Sequence, residues 1–368
     1  MDLAFILVVI CQVLVSSAWP ELHFSDDQTF HITIFEDLHF GEGPDTDWGP
    51  RHDANTLKTM KRVLEDESPE LVVLNGDLIT GADTFKENST DYVDMIVAPI
   101  VEAGLPWAST YGNHDSDFNL SRKDIYSREK TYENSLTGCD VNQNDSGVSN
   151  YYLPVYTNDT SSIPVMILWF FDSGGGRQQA QNGAAISRPD WVDGSVVSWF
   201  EETRDQLQTT YGTAIPSLAF FHIPVRASAA FQSAAVNSST APGINADGQF
   251  PGQGSKEQDT PLMQALLNSK NLTAAFSGHQ HGDDWCFKWD KQLSGMNLIG
   301  DGLNLCFSRR TGYGGYGDWK RGSRQILVSL ESLGNSVETW NRLEDGSVSG
   351  EVTLNSTFGT DNYPLVQS

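Results

Sequence analysis

Five times along this chain, an apolar run of strand length ends in a short cluster of aspartate, asparagine or histidine. The runs 28–35, 71–74, 106–110, 217–221 and 273–277 lead in turn into Asp37 and His39, into Gly76-Asp77, into Gly112-Asn113-His114-Asp115, into His222, and into Gly278-His279-Gln280-His281. Between them, apolar residues recur at helical spacing over 54–65, 91–103, 195–208 and 261–267. Such alternation predicts an α/β fold with buried strands, and 165–171 is apolar enough to be a central one. Open α/β sheets place ligand sites at the C-terminal ends of their strands, so the five clusters are expected to converge.

The residue types in these clusters suit a metal pair. Two divalent cations about 3.5–4 Å apart need one carboxylate able to bridge them, with neutral imidazoles and oxygens completing the ligand set. In Asp37-X-His39 and His279-X-His281 the side chains are two residues apart, so an extended backbone would send both to the same side. Gly76, Gly112 and Gly278 allow sharp turns beside a cluster, and the Asn113 carbonyl is a neutral hard ligand. His23, His31 and His52 follow no such strand end and read as structural.

Taken in order, D-x-H, G-D, G-N-H-D, H and G-H-x-H resemble the five motifs of the calcineurin-like metallophosphoesterase superfamily. Four further stretches resemble its purple-acid-phosphatase-like branch of fungal and plant proteins: Asn150-Tyr151, Phe221-His222-Ile223-Pro224, the run from Gly278 to Cys286, and Gly312 to Gly317 with Arg321 after it. The resemblance spans about residues 28 to 332. It implies a four-layer αββα sandwich in a single domain, holding two divalent or mixed-valence ions (manganese, iron or zinc). Asp37, His39 and His281 would hold the first ion, Asn113, His222 and His279 the second, and Asp77 both. His114 would face the substrate, stabilising developing charge or protonating the leaving oxygen. The implied substrate is a phosphate monoester, with diesters of nucleotides or lipid head groups as the alternative and a non-catalytic binding module as a third reading. Protein serine/threonine phosphatases of the superfamily read G-D-x-x-D-R-G, whereas Asp77 is followed by Leu78-Ile79-Thr80-Gly81. Thr80 also stands where purple acid phosphatases carry the tyrosine that binds ferric iron, so no tyrosinate colour is expected.

Composition sets the outer limits. The 368 residues are 39% hydrophobic, enough for a full core, and 48 acidic against 23 basic side chains give a formal charge of -25. Nucleic-acid docking through surface basicity is excluded, while a phosphate ester can still be held if metals supply the positive charge. The apolar run 3–15, followed by Ser16-Ser17-Ala18, reads as a signal peptide over 1–18, leaving 19–368 as the mature domain, secreted to the medium or wall or sent to the vacuole. No later segment is long and apolar enough to span a membrane. N-glycosylation is then expected, with sequons at Asn88, Asn119, Asn144, Asn158, Asn237, Asn271 and Asn355. Cys286 and Cys306 bracket a stretch short enough for a bridge worth about 3 kcal/mol, against the alternative of reduced thiols.

Other features stay open at this level. Gly174-Gly175-Gly176 reads as a flexible turn more than a phosphate cradle, and Arg226 as a solvated arginine. Gly312 to Gly317 fits a hairpin turn as well as a family loop, 226–259 reads as a surface insertion, and Asp115 and Asp172 are either supports or caps.

Overall fold

The computed structural model describes residues 21–366 apart from 142, 144 and 145, so the leader 1–18 and the Asn144 sequon lie outside the described residues. Two large sheets form the middle of the molecule. In the six-stranded sheet, Thr29–Phe35, Leu71–Asn75 and Trp107–Thr110 run parallel side by side, and the antiparallel strands Gly322–Ser329, Val337–Leu343 and Val348–Leu354 extend it beyond Thr29–Phe35. In the seven-stranded sheet, Pro164–Phe171, Ser217–Phe221, Leu272–Ser277 and Leu303–Phe307 are parallel neighbours.

Strand alternation explains the layering. Phe30, Ile32 and Ile34 point inward and meet Leu168, Phe170, Leu218, Phe220 and Phe276 of the facing sheet in one buried core. The out-of-phase residues Phe35, Val72 and Leu74 pack instead under the helices Gly49–Glu67 and Asp91–Glu102, through Met60, Val63, Ile96 and Ile100. On the other side Ile167, Trp169, Phe171 and Ala219 pack under the helices Gly194–Tyr211 and Thr260–Asn268, through Val196, Phe200, Leu262 and Met263. Both faces of each sheet are therefore covered, which gives helices, sheet, sheet, helices within a single domain, as the resemblance implies. Each fully buried Leu, Ile or Phe contributes about 1.5–3 kcal/mol to this arrangement.

Two expectations change. The segment 226–259 is not wholly irregular, because it opens with the helix Arg226–Ser233. Gly312 to Gly317 is not a hairpin turn: it lies on the crossover from Leu303–Phe307 in one sheet to Gly322–Ser329 in the other. Cys286 and Cys306 face each other on antiparallel strands and form a disulfide within the inter-sheet core. Among the described residues no helix is long and apolar enough to cross a membrane.

Candidate metal centre

All five clusters meet on one edge of the sandwich. The six-stranded sheet brings Asp37, His39, Asp77 and Asn113 there, just past the ends of its three parallel strands, and the seven-stranded sheet brings His222, His279 and His281. The two edges are tied directly: His222 Nδ1 donates to the Asn75 carbonyl at 2.9 Å, and Asn75 Nδ2 donates to the Phe221 carbonyl at 3.4 Å.

The side chains fall into two groups. Asp37, His39 and His281 offer donor atoms within 4.8 Å of one another, and so do Asp77, His222 and His279. Asp77 reaches into both groups, with Oδ2 3.0 Å from His222 Nε2 and 3.9 Å from His39 Nε2. Its Oδ1 accepts from the His114 backbone N–H at 2.8 Å. Asp37 Oδ1 lies 3.5 Å from His281 Nε2 and 3.8 Å from His222 Nε2.

Extended backbone does not produce these pairs, contrary to the expectation drawn from the two-residue spacing. Asp37, His39, Asp77 and His279 have φ of 50°, 52°, 49° and 73°, all in the left-handed region. Asp and His tolerate that region better than most residues, yet each such residue still costs on the order of 1–2 kcal/mol. The loops are held in it by one another: Asp37, His39 and Phe40 donate backbone N–H bonds to the carbonyls of Gly76, Asp77 and Leu78, each at 3.0 Å. Two glycines are required by close approach. A Cβ on Gly76, at φ 92°, would lie 2.5 Å from the His222 ring, and one on Gly112 would lie 2.2 Å from Asp77 Oδ1.

Buried Asp115 closes the framework and proves to be a support. It accepts from the N–H groups of Leu78 and Ile79 at 2.9 Å and of Gly112 at 2.8 Å, pinning the Asp77 loop to the Asn113 loop. Burial and the neighbouring Asp77 push its carboxyl up to about 7.

The donor set fits cations. A carbonyl can only accept, so His222 Nδ1, against the Asn75 carbonyl, and His281 Nδ1, 3.0 Å from the Tyr316 carbonyl, both carry protons. In the neutral ring this leaves each Nε2 lone pair aimed into the cluster, where His39 Nε2 and His281 Nε2 stand 3.2 Å apart. Such a crowd of lone pairs and carboxylates calls for protons or metal ions between them. Burial lowers the His222 pKa, but Asp77 and Asp37 outweigh it and drive the value up to about 10. Burial likewise raises Asp37, and His281 and His222 outweigh it, leaving about 2. The buried Asn113 Oδ1 has no hydrogen-bond partner, as an oxygen reserved for a ligand would. Asp37, His39 and His281 can thus hold one ion, and Asn113, His222 and His279 another, with Asp77 between them.

His114 stands at the open side, its side chain 38% exposed and its ring centroid 5.0 Å from that of His39. Its Nδ1 forms an ion pair at 3.0 Å with Asp117 Oδ2, a partner missed in the sequence although the i, i+3 spacing on the short His114–Ser116 helical turn offers the signal. Burial lowers its pKa, but Asp77 and Asp117 outweigh this and raise it to about 9. Thr80 was also missed as a support: its hydroxyl lies 3.1 Å from His39 Nδ1 and so orients that ring.

The remaining candidates resolve. Gly174 and Gly175 turn their carbonyls toward the buried Arg122 guanidinium, which also pairs with Asp172 at 3.1 Å, so the glycine run braces the Asn113 loop instead of cradling a phosphate. Arg226 pairs with Glu257 at 3.2 Å. The Gly312–Gly317 loop is clasped by buried Arg310, which donates to the carbonyls of Gly314, Tyr316 and Gly317.

Known proteins place this arrangement. A plant relative named probable inactive purple acid phosphatase 14, from Arabidopsis thaliana, is 27% identical over 88% of this chain and 83% of its own length. Phosphatase DCR2 of Saccharomyces cerevisiae is 28% identical over 89% of this chain and 56% of its own. Among solved structures, a dimetal phosphatase from Danio rerio superposes with a TM-score of 0.56 at 12% identity, covering 89% of this chain and 98% of that one. A purple acid phosphatase from yellow lupin seeds gives 0.51 at 13% identity, over 88% and 53%. The calcineurin-like phosphoesterase profile matches residues 30–283, well over half of the sequence and all seven donors of the cluster, and the chain belongs to that family.

Proposed function

We propose that this chain is a secreted, metal-dependent phosphomonoesterase. The observation that carries the reading is the pair of donor groups meeting at Asp77, with His114 exposed beside them. Two ions bound there would supply Lewis acidity toward the phosphoryl oxygens and would lower the pKa of water enough for attack at mild pH. The chain's own residues do the rest. Asp77 and Asp37 balance the charge, the Asn75 and Tyr316 carbonyls fix the imidazole tautomers, and Asp115 keeps the loops in register. Asp117 pairs with His114 Nδ1 and so orients that ring to donate to the leaving oxygen or to a developing negative charge. Export is supported by the apolar N-terminal run and by the Cys286–Cys306 disulfide.

Turnover of p-nitrophenyl phosphate and bis-p-nitrophenyl phosphate by the purified, metal-analysed protein tests the reading. Monoester turnover with both ions present is expected, and activity on the diester alone would overturn the monoesterase assignment. A non-catalytic reading is favoured by the names of the plant relatives, and metal loading without turnover of either ester would select it.

A further inference from the structure

Two aromatic rings at the mouth of the centre are exposed yet seated on its imidazoles. Phe250, 40% exposed, meets the His279 ring nearly edge-on, with centroids 5.3 Å apart and planes at 75°. Tyr316, 45% exposed, stacks on His281 at 4.1 Å and 12°, with the Trp319 ring 6.2 Å away and nearly perpendicular to it. They come from separate connections, the loop before the helix Thr260–Asn268 and the crossover between the sheets. Asp247 joins the two, accepting from the Tyr316 hydroxyl and, at 3.3 Å, from the Gly282 N–H beside His281. Gln280 Nε2 donates to the Gly248 carbonyl at 3.1 Å and fixes the Phe250 loop from the same side.

This rim offers rings where a polyanionic leaving group would need cations. Arg226 is engaged by Glu257, and Arg310 is buried against loop carbonyls. An exposed ring held in place loses little entropy on stacking and suits a planar partner. We propose that Phe250 and Tyr316 form an aromatic frame that binds the leaving group, selecting phosphate monoesters of planar aromatic alcohols or nucleosides over those of aliphatic alcohols. The proposal rests on the phosphoesterase reading and adds the substrate class to it.

The test compares kcat/KM for phenyl phosphate and glycerol phosphate in the metal-loaded wild-type protein with Phe250→Leu, which keeps apolar bulk but loses the ring, and with Tyr316→Leu. The preference for the phenyl ester should fall about tenfold in each variant, a size set by one aromatic stacking contact, at unchanged metal content. An equal loss on both esters, or no loss, would overturn the frame and leave the rings as a shield for the imidazoles. If the wild-type protein turns over neither ester, the phosphoesterase reading itself has failed. Calorimetric binding of phenylphosphonate against methylphosphonate then still decides the frame: tighter phenyl binding that Phe250→Leu removes supports it, and equal binding refutes it.

Discussion

The two sheets contribute unequally to the centre they share. The six-stranded sheet brings both carboxylates, Asp37 and Asp77, together with His39 and Asn113, whereas the seven-stranded sheet brings only the imidazoles His222, His279 and His281. Charge therefore comes from one side and neutral nitrogen from the other. Neither half is a site alone, so packing of the inter-sheet core is a condition for binding ions. Within the charged side, Asp77 reaches into both donor groups, whereas each imidazole from the seven-stranded sheet belongs to one of them.

The largest effect expected from this asymmetry follows Asp77→Asn, which should lose both ions by elemental analysis and at least about a thousandfold in turnover. His279→Ala, on the imidazole side, should lose one ion and keep the other. Equal depletion in the two variants would break the distinction between a carboxylate shared by both donor groups and an imidazole confined to one. Next comes His114→Ala, which should cut kcat by about a hundredfold to ten-thousandfold with metal content at the wild-type level, as removal of a general acid does. Thr80→Val should weaken metal affinity about tenfold to a hundredfold by freeing the His39 ring, read by competition with a chelating dye.

The smallest predicted effect concerns the helix that braces the carboxylate side. Asp53, on Gly49–Glu67, accepts from the Gly41 N–H at 3.3 Å, and burial outweighs that bond and pushes its carboxyl up to about 6. A carboxyl raised on folding prefers its proton in the folded state. Its contribution to stability is full below its ordinary value near pH 4 and is lost as pH rises through 6. Asp53→Asn should therefore flatten the pH dependence of the unfolding free energy between pH 4 and 7, by about 1 kcal/mol after allowance for solvent screening, read by denaturant unfolding. An unchanged slope would place the effect elsewhere.

The strand ends and their polar clusters were legible because each pairs a short apolar run with residue types that have few other reasons to recur together. The layered fold followed from the resemblance those motifs carry. What spacing could not give was the backbone at Asp37, His39, Asp77 and His279: an alternating pattern implies extended chain, and only long-range hydrogen bonds between the loops hold the left-handed conformation. Phe250 was hidden for a related reason: it reaches the centre through a tertiary contact from a connection without periodicity, whereas Tyr316 lay in the Gly312–Gly317 stretch that the resemblance marked, with only its contact to His281 unread.

The left-handed donors bear on how such a site can be lost. Asparagine and glycine are the replacements that keep these turns cheaply, while a β-branched residue at Asp37, Asp77 or His279 would add a folding cost to the loss of the ion. Drift away from catalysis is thus channelled by the backbone. A descendant that abandons the chemistry but keeps the scaffold should carry asparagine or glycine at these positions, a mark by which a retired site can be told from one that never bound metal.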